Sequence, residues 1–415
     1  MRRSVLVALA AASTLFAQAL EDTFYVPLDH PAIQYSETPS HDPIARLQQK
    51  LDRGEAKLDY APHGWGYLPS ILKELGIHID SQVLVFSKGS IQAQFINPRT
   101  PRAIYFDDDA SVGYVQNGEQ LELAGVDPRE GVYLYTLDLA KAARPEFARR
   151  GIDCLRCHQG PVTLGVPGWM VSSLHPGASG EHGGAYATDD RVPISERWGG
   201  WYVTGNTGSQ TNYGNNTNLV DPLHPGGPSE EPAQNLVSLA KFFDTTRYPA
   251  PTSDVVALMT LEHQTRMINL ITRIGWDTRI ALHDHTPLEK LDGEIEQLVE
   301  YMVFANEAPL HGTVAGVSTF RKTFAALGPR DAQGRSLRDF DLHTRLFRYP
   351  LSYMIYSAAF DGMPDAARER IYRRLYDILS GTDQSEPFKR LEATDRRAAL
   401  EILRQTKTNL PAFWK

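Results

Sequence analysis

Cys154-Leu155-Arg156-Cys157-His158 is the stretch of this 415-residue chain whose residue types and spacing specify a particular chemistry. Two thiols separated by two residues can each add across a vinyl group of a haem, and an imidazole directly after the second falls under the iron as an axial ligand. A cysteine pair at this spacing also fits a redox dithiol, half of a zinc site or a local disulfide. Zinc wants four nitrogen or sulfur ligands, and the chain has only two cysteines. A dithiol oxidoreductase places its pair at the start of a helix after a buried strand. Here the flanks are Arg149-Arg150-Gly151-Ile152-Asp153 and Gln159-Gly160-Pro161, which read as an exposed loop suited to a bulky cofactor. The spacing therefore predicts one covalently held haem.

The motif C-x-x-C-H resembles the attachment site of c-type cytochromes. That resemblance gives Cys154 and Cys157 the role of thioether anchors and His158 that of proximal ligand to iron. Asn97 to Phe106, Arg197 to Gly205 and Leu261-Glu262-His263-Gln264 are similar to segments of uncharacterised secreted bacterial proteins of the cytochrome c domain-containing kind. This second resemblance covers most of the mature chain and implies no particular reaction. The size of the chain and the missing downstream methionine motif depart from small cytochromes c and leave the distal ligand open.

The chain begins Met1-Arg2-Arg3, continues with an apolar run from Val5 to Phe16, and reaches Ala17-Gln18-Ala19 before Glu21-Asp22. A basic start, a short apolar run and a small-x-small cleavage site make residues 1–19 a secretory signal peptide. The run is shorter than the roughly 20 apolar residues needed to span a bilayer. Haem of the c type is attached outside the bacterial inner membrane, so the expected address is the periplasm or beyond, with no membrane anchor after cleavage. A formal net charge of -8 argues against nucleic acid as a partner. The expected partner is a redox protein or a small electron donor or acceptor.

Apolar periodicity predicts an α+β fold in three parts. A β-rich part (20–150) holds helices at 41–53 and 68–75 and short strands at 83–86, 91–95, 103–106, 112–115, 120–124 and 132–137, with Asn117-Gly118 as a two-residue hairpin turn. A short helix at 139–149 leads into a haem-attachment and glycine-rich loop region (151–233), in which 201–203 reads as a strand. The helical remainder (234–415) has helices at 253–275, 287–306, 317–327, 364–380 and 394–407, and Thr286-Pro287-Leu288-Glu289 reads as a capping box. This is not a small cytochrome c fold. Asp107-Asp108-Asp109 reads as a solvated turn, with half a calcium site as the sharper alternative.

The sixth position of a haem iron is either filled by a strong ligand or left to water or substrate. On the 253–275 helix, Glu262, Arg266, Asn269 and Arg273 make one polar stripe, and the neighbouring stripe is apolar except for His263. His263 is therefore the distal candidate, with Met267 and Met170 as rivals. His175 and His182 lie in the glycine-rich stretch, His283-Asp284-His285 is a possible metal group, and Arg197 is a candidate partner for a haem propionate. Two functions follow: a mono-haem c-type electron carrier, or a haem-dependent oxidoreductase of peroxidase or oxygenase type with an open distal site. In the second, His263, Arg266 or Arg197 would give acid-base help.

Overall fold

A computed structural model describes residues 25–61, 64–175, 185–220 and 233–414. Residues 1–19, read from the sequence as a signal peptide, and His182 lie outside the described residues. Helix α1 (Pro43–Asp52) starts where its sequence requires. Asp42 Oδ1 accepts the N–H of Ile44 at 2.7 Å and of Ala45 at 3.2 Å, and Pro43 fills a first-turn position that needs no N–H. Helix α2 (Leu68–Leu75) stops at Gly76, which takes the left-handed φ of 75° that glycine tolerates best.

Five strands follow as an antiparallel meander: β1 (Val83–Val85), β2 (Arg102–Phe106), β3 (Ala110–Val115), β4 (Gln120–Asp127) and β5 (Gly131–Asp138). The β3–β4 register, Gly113 opposite Glu122, centres the hairpin on Asn117 and Gly118 as expected. Then come β6 (Ala148–Arg150), α3 (Ile152–His158), the paired β7 (Ser172–Ser173) and β8 (Tyr186–Ala187), and β9 (Trp201–Tyr202). The seven-stranded sheet has the order β6-β5-β4-β3-β2-β1-β9. Leu84 pairs with Tyr202, so the glycine-rich stretch contributes the edge strand that completes the sheet.

Two expected elements are replaced, each for a local reason. Residues 91–95 form no strand. Here the chain makes a 3-10 turn (Ala93–Phe95), because Gln92 is tied to β4, its side chain accepting from the amides of Glu119 and Gln120 and donating to Gln120 O. No helix forms over 139–149 either. Pro145 lacks a donor, and the amides of Ala142 and Phe147 donate to the Tyr67 hydroxyl and the Gln48 side chain.

The C-terminal part holds α4 (Val255–His283), α5 (Asp292–Met302), α6 (Phe320–Ala326), α7 (Ala358–Gly362), α8 (Asp365–Ser380) and α9 (Ala393–Thr406). Helix α4 outruns its predicted end at Gly275 by two turns, since Trp276, Thr278 and Ala281 are also buried. The proposed capping box does not start a helix. Leu288–Leu291 is a 3-10 turn, α5 begins at Asp292, and Glu289 bonds Arg370 at 2.8 Å. One cluster of buried apolar side chains runs through all three parts of the chain. With about 38% helix and 13% strand the class is α+β, and the architecture is not that of a small cytochrome. No helix among the described residues is long and apolar enough to cross a membrane.

Asp254 sets the start of α4. Its Oδ1 accepts the amides of Val256 at 2.8 Å and Ala257 at 3.3 Å, and its Oδ2 accepts those of Val317 and Ser318, both at 2.8 Å. Replacing Asp254 by alanine strips one helix cap and leaves buried amides unpaired, so chemical denaturation should show a loss of about 3 kcal/mol or more.

Candidate haem-attachment site

The cysteine motif is a short helix where an exposed loop was expected. In α3 the Gly151 carbonyl accepts the amides of Cys154 and Leu155, both at 3.1 Å, and Leu155 buries into the core and anchors the turn. Helical spacing puts positions 154, 157 and 158 on one face. The two thiols are free; Cys154 is half-buried and Cys157 exposed. Burial raises the Cys154 pKa above its ordinary value.

His158 Nδ1 lies 2.9 Å from the Gly168 carbonyl oxygen. A carbonyl only accepts, so Nδ1 carries the proton and Nε2 presents a lone pair, the tautomer that a metal-bound histidine adopts. Gly168 also donates its own N–H to His158 O at 2.9 Å, which closes a two-bond bridge between the motif and the following loop. Burial, with a smaller effect of the Arg102 charge, lowers the His158 pKa and favours the neutral ring.

Helix α4 holds the loop in place. Asn269 Oδ1 accepts the Trp169 amide at 3.2 Å, and its Nδ2 donates to the Trp169 carbonyl at 3.0 Å. Residue 168 must be glycine, since a Cβ would collide with the side chains of Asn269 and Thr163. One turn on, Arg273 donates to Leu164 O at 2.9 Å. Two turns back, Glu262 accepts from Arg197 at 2.9 Å and from Trp198 Nε1 at 3.1 Å. Three members of the predicted polar stripe thus clamp the irregular segment. The fourth, Arg266, has its Nε buried without a partner. The N-terminal arm adds a clamp: Val26 N donates to Gly165 O at 3.1 Å, and Gln159 donates to Val26 O at 3.0 Å.

The sheet contributes an ion pair close enough to act on His158. Arg102 on β2 reaches across β3 to Glu122 on β4 at 2.8 Å, lying over Gly113, where a Cβ would come within 2.6 Å of the guanidinium. Arg102 Nε is buried and unpartnered. Sequence reasoning missed this pair, because Arg102 and Glu122 come together only through strand register.

Arg197 is not placed for a propionate. It is 2% exposed and spends its donors on Glu262, Val192 O and Asp190 O. His263 is likewise not free for iron: Nδ1 meets Asp190 Oδ2 at 2.8 Å, Nε2 meets Ser352 Oγ at 2.7 Å, and the ring stacks between Tyr301 and Phe304. Its buried position needed partners, and the protein supplies both. Serine, histidine and aspartate here have the connectivity of a hydrolytic triad. All three are buried, however, and Ser352 Oγ also accepts the Met354 amide, so the group works as a structural network. Met267 is fully buried in α4. Met170 is half-buried, two residues after the glycine whose carbonyl meets His158 Nδ1. His175 sits against Tyr213 with ring centres 5.6 Å apart. Of His283-Asp284-His285, the first two converge with His30 and not with His285. Asp107, Asp108 and Asp109 stand half-exposed at the turn between β2 and β3, where Asp107 Oδ1 accepts the amides of Asp109 and Ala110 and burial raises the Asp107 pKa to about 7.

No family model, no curated protein and no solved structure matches the chain. What bears on haem is therefore the donor set itself. Two free thiols and an imidazole with an unengaged Nε2 share one helical face, and the imidazole is oriented from behind by a carbonyl that α4 fixes. These residues fit a covalently attached haem.

Asn269→Ala should leave the Trp169 amide and carbonyl unpaired and cost about 2–5 kcal/mol in a denaturation experiment. A second expectation concerns Glu307, which lies beside Asp190 and accepts the Leu346 amide at 2.7 Å. Burial raises its pKa from 4.5 to about 8. The unfolded chain therefore loses this proton first as pH rises, and folding stability falls between about pH 4.5 and 8, by at most about 1.4 kcal/mol per pH unit. Glu307→Gln should match the parent at pH 4 and exceed it at pH 8 in denaturant midpoint.

Proposed function

We propose that this protein is an exported mono-haem c-type cytochrome, with Cys154 and Cys157 as thioether anchors, His158 as proximal ligand and one-electron transfer as its task. The observation that carries the proposal is the His158 Nδ1–Gly168 hydrogen bond, which leaves the lone pair on Nε2 in a helix whose spacing puts the imidazole and both thiols on one face. When bound, the haem supplies an iron that cycles between ferrous and ferric. The chain's residues bind and orient it. The Gly168 carbonyl increases the electron density on the imidazole, and Asn269 keeps that carbonyl from drifting. Buried Leu155 and the Val26 contacts fasten the motif to the body of the protein.

A second reading is a haem oxidoreductase with an exchangeable distal position. It is favoured by the engagement of both nitrogens of His263, the strongest distal candidate in the sequence. Export and a periplasmic address belong to both.

Material expressed with a haem-maturation system should be red, heavier than the polypeptide by one haem, and colourless in a Cys154→Ala, Cys157→Ala variant. Wild-type mass equal to the polypeptide alone would overturn both readings. A low-spin spectrum indifferent to cyanide and carbon monoxide supports the carrier. A high-spin spectrum that changes on adding either supports the oxidoreductase.

A further inference from the structure

The last turn of α4 and the N-terminal arm bring together three ligand-type side chains from widely separated parts of the sequence. The arm is held there by Arg279, which donates to Ala32 O at 2.6 Å while its other nitrogen binds Glu130 at 2.8 Å. As a result His30 Nε2 lies 3.4 Å from Asp284 Oδ2, and His283 Nδ1 lies 2.7 Å from Asp284 Oδ1. The two imidazoles meet edge to face with centres 5.3 Å apart. One ligand atom from each of the three residues falls within 4.8 Å of the others.

We propose that His30, His283 and Asp284 form a binding site for a divalent transition ion of the zinc or copper class, which fastens the N-terminal arm to the end of α4. Two imidazoles and a carboxylate are borderline ligands that suit such ions, whereas calcium and magnesium want oxygen shells. Zinc–nitrogen bonds of about 2.0–2.1 Å imply ligand atoms about 3.3 Å apart around a tetrahedral ion, close to the His30–Asp284 separation. The His283–Asp284 contact has to open by a fraction of an ångström. His30 Nδ1 accepts the Ala32 amide at 3.2 Å. Metal at Nε2 gives up that long bond, and Ala32 is half-exposed, so water can replace it. The site sits at a helix C-terminus, where the aligned carbonyls favour a cation.

The consequence reaches the haem motif. Four residues before His30, Val26 is bonded to Gly165 and Gln159, the residue next to His158. An ion that holds His30 therefore holds the strap over the motif's loop.

The test uses the full chain without a polyhistidine tag, in a Cys154→Ser, Cys157→Ser background so that the thiols take no metal and the outcome does not depend on haem. Zinc chloride titrated calorimetrically is expected to bind one ion per chain and to raise Tm reversibly to EDTA, with no such rise from magnesium or calcium. His30→Ala and His283→Ala should each weaken zinc at least about tenfold, the loss that even an outer-shell partner's removal causes. Hydrogen exchange should show added protection over residues 26–35 on zinc binding in the parent and none in His283→Ala, whose site is exposed and tolerates the change. Absence of binding, or binding that both variants leave intact, overturns the proposal.

Discussion

A helix buried along nearly all of its length cannot carry unpartnered polar side chains, and an irregular segment packed inside a protein cannot leave its peptide groups unpaired. In this molecule the two deficits cancel. Glu262, Asn269 and Arg273 on α4 satisfy Arg197, Trp198, Trp169 and Leu164 on the glycine-rich wrap. The described part of the wrap has only two-residue strands and short 3-10 turns of its own, and the helix acts as a rail of donors and acceptors for the rest. That rail fixes the Gly168 carbonyl, the carbonyl fixes the tautomer of His158, and the tautomer decides that Nε2 can serve as a ligand.

The same requirement explains the fate of His263. A fully buried imidazole that meets a carboxylate at one nitrogen and a hydroxyl at the other has both hydrogen-bonding groups satisfied. Its Ser352–His263–Asp190 arrangement shows how a constellation known from catalysis can arise from interior bookkeeping alone. Access distinguishes the two cases. The cysteine helix exposes Cys157, whereas Ser352, His263 and Asp190 are all buried and the His263 ring is packed among Tyr301, Phe304 and Phe347.

Glycine at two positions marks where packing has left no room for a side chain. Gly113 lets the Arg102 guanidinium lie flat across the sheet to Glu122, and Gly168 lets Asn269 approach the loop backbone. Gly168 carries the carbonyl that meets His158 Nδ1, and Gly113 underlies the guanidinium whose charge acts on that ring, so close approach of backbone matters to the site as well as the donor atoms.

Local signals were legible in the chain: the Asp42-Pro43 start and Gly76 stop of the first helices, the meander and its Asn117-Gly118 turn, the polar stripe of the long helix, and the spacing of two thiols and an imidazole. These depend on neighbours within a few residues, where periodicity, capping and turn chemistry act. The sequence could not say that the stripe would grip the loop after the cysteine motif, that Arg102 would meet Glu122, that His30 would join His283 and Asp284, or that Asp190 and Ser352 would occupy His263. Each of those pairings joins residues far apart along the chain, and only the folded path, set by sheet register and helix packing, brings them within bonding distance. The chain by itself thus determined which groups could do chemistry, and the tertiary structure decided which of them were still free to do it, because burial forces every other polar group to find a partner first.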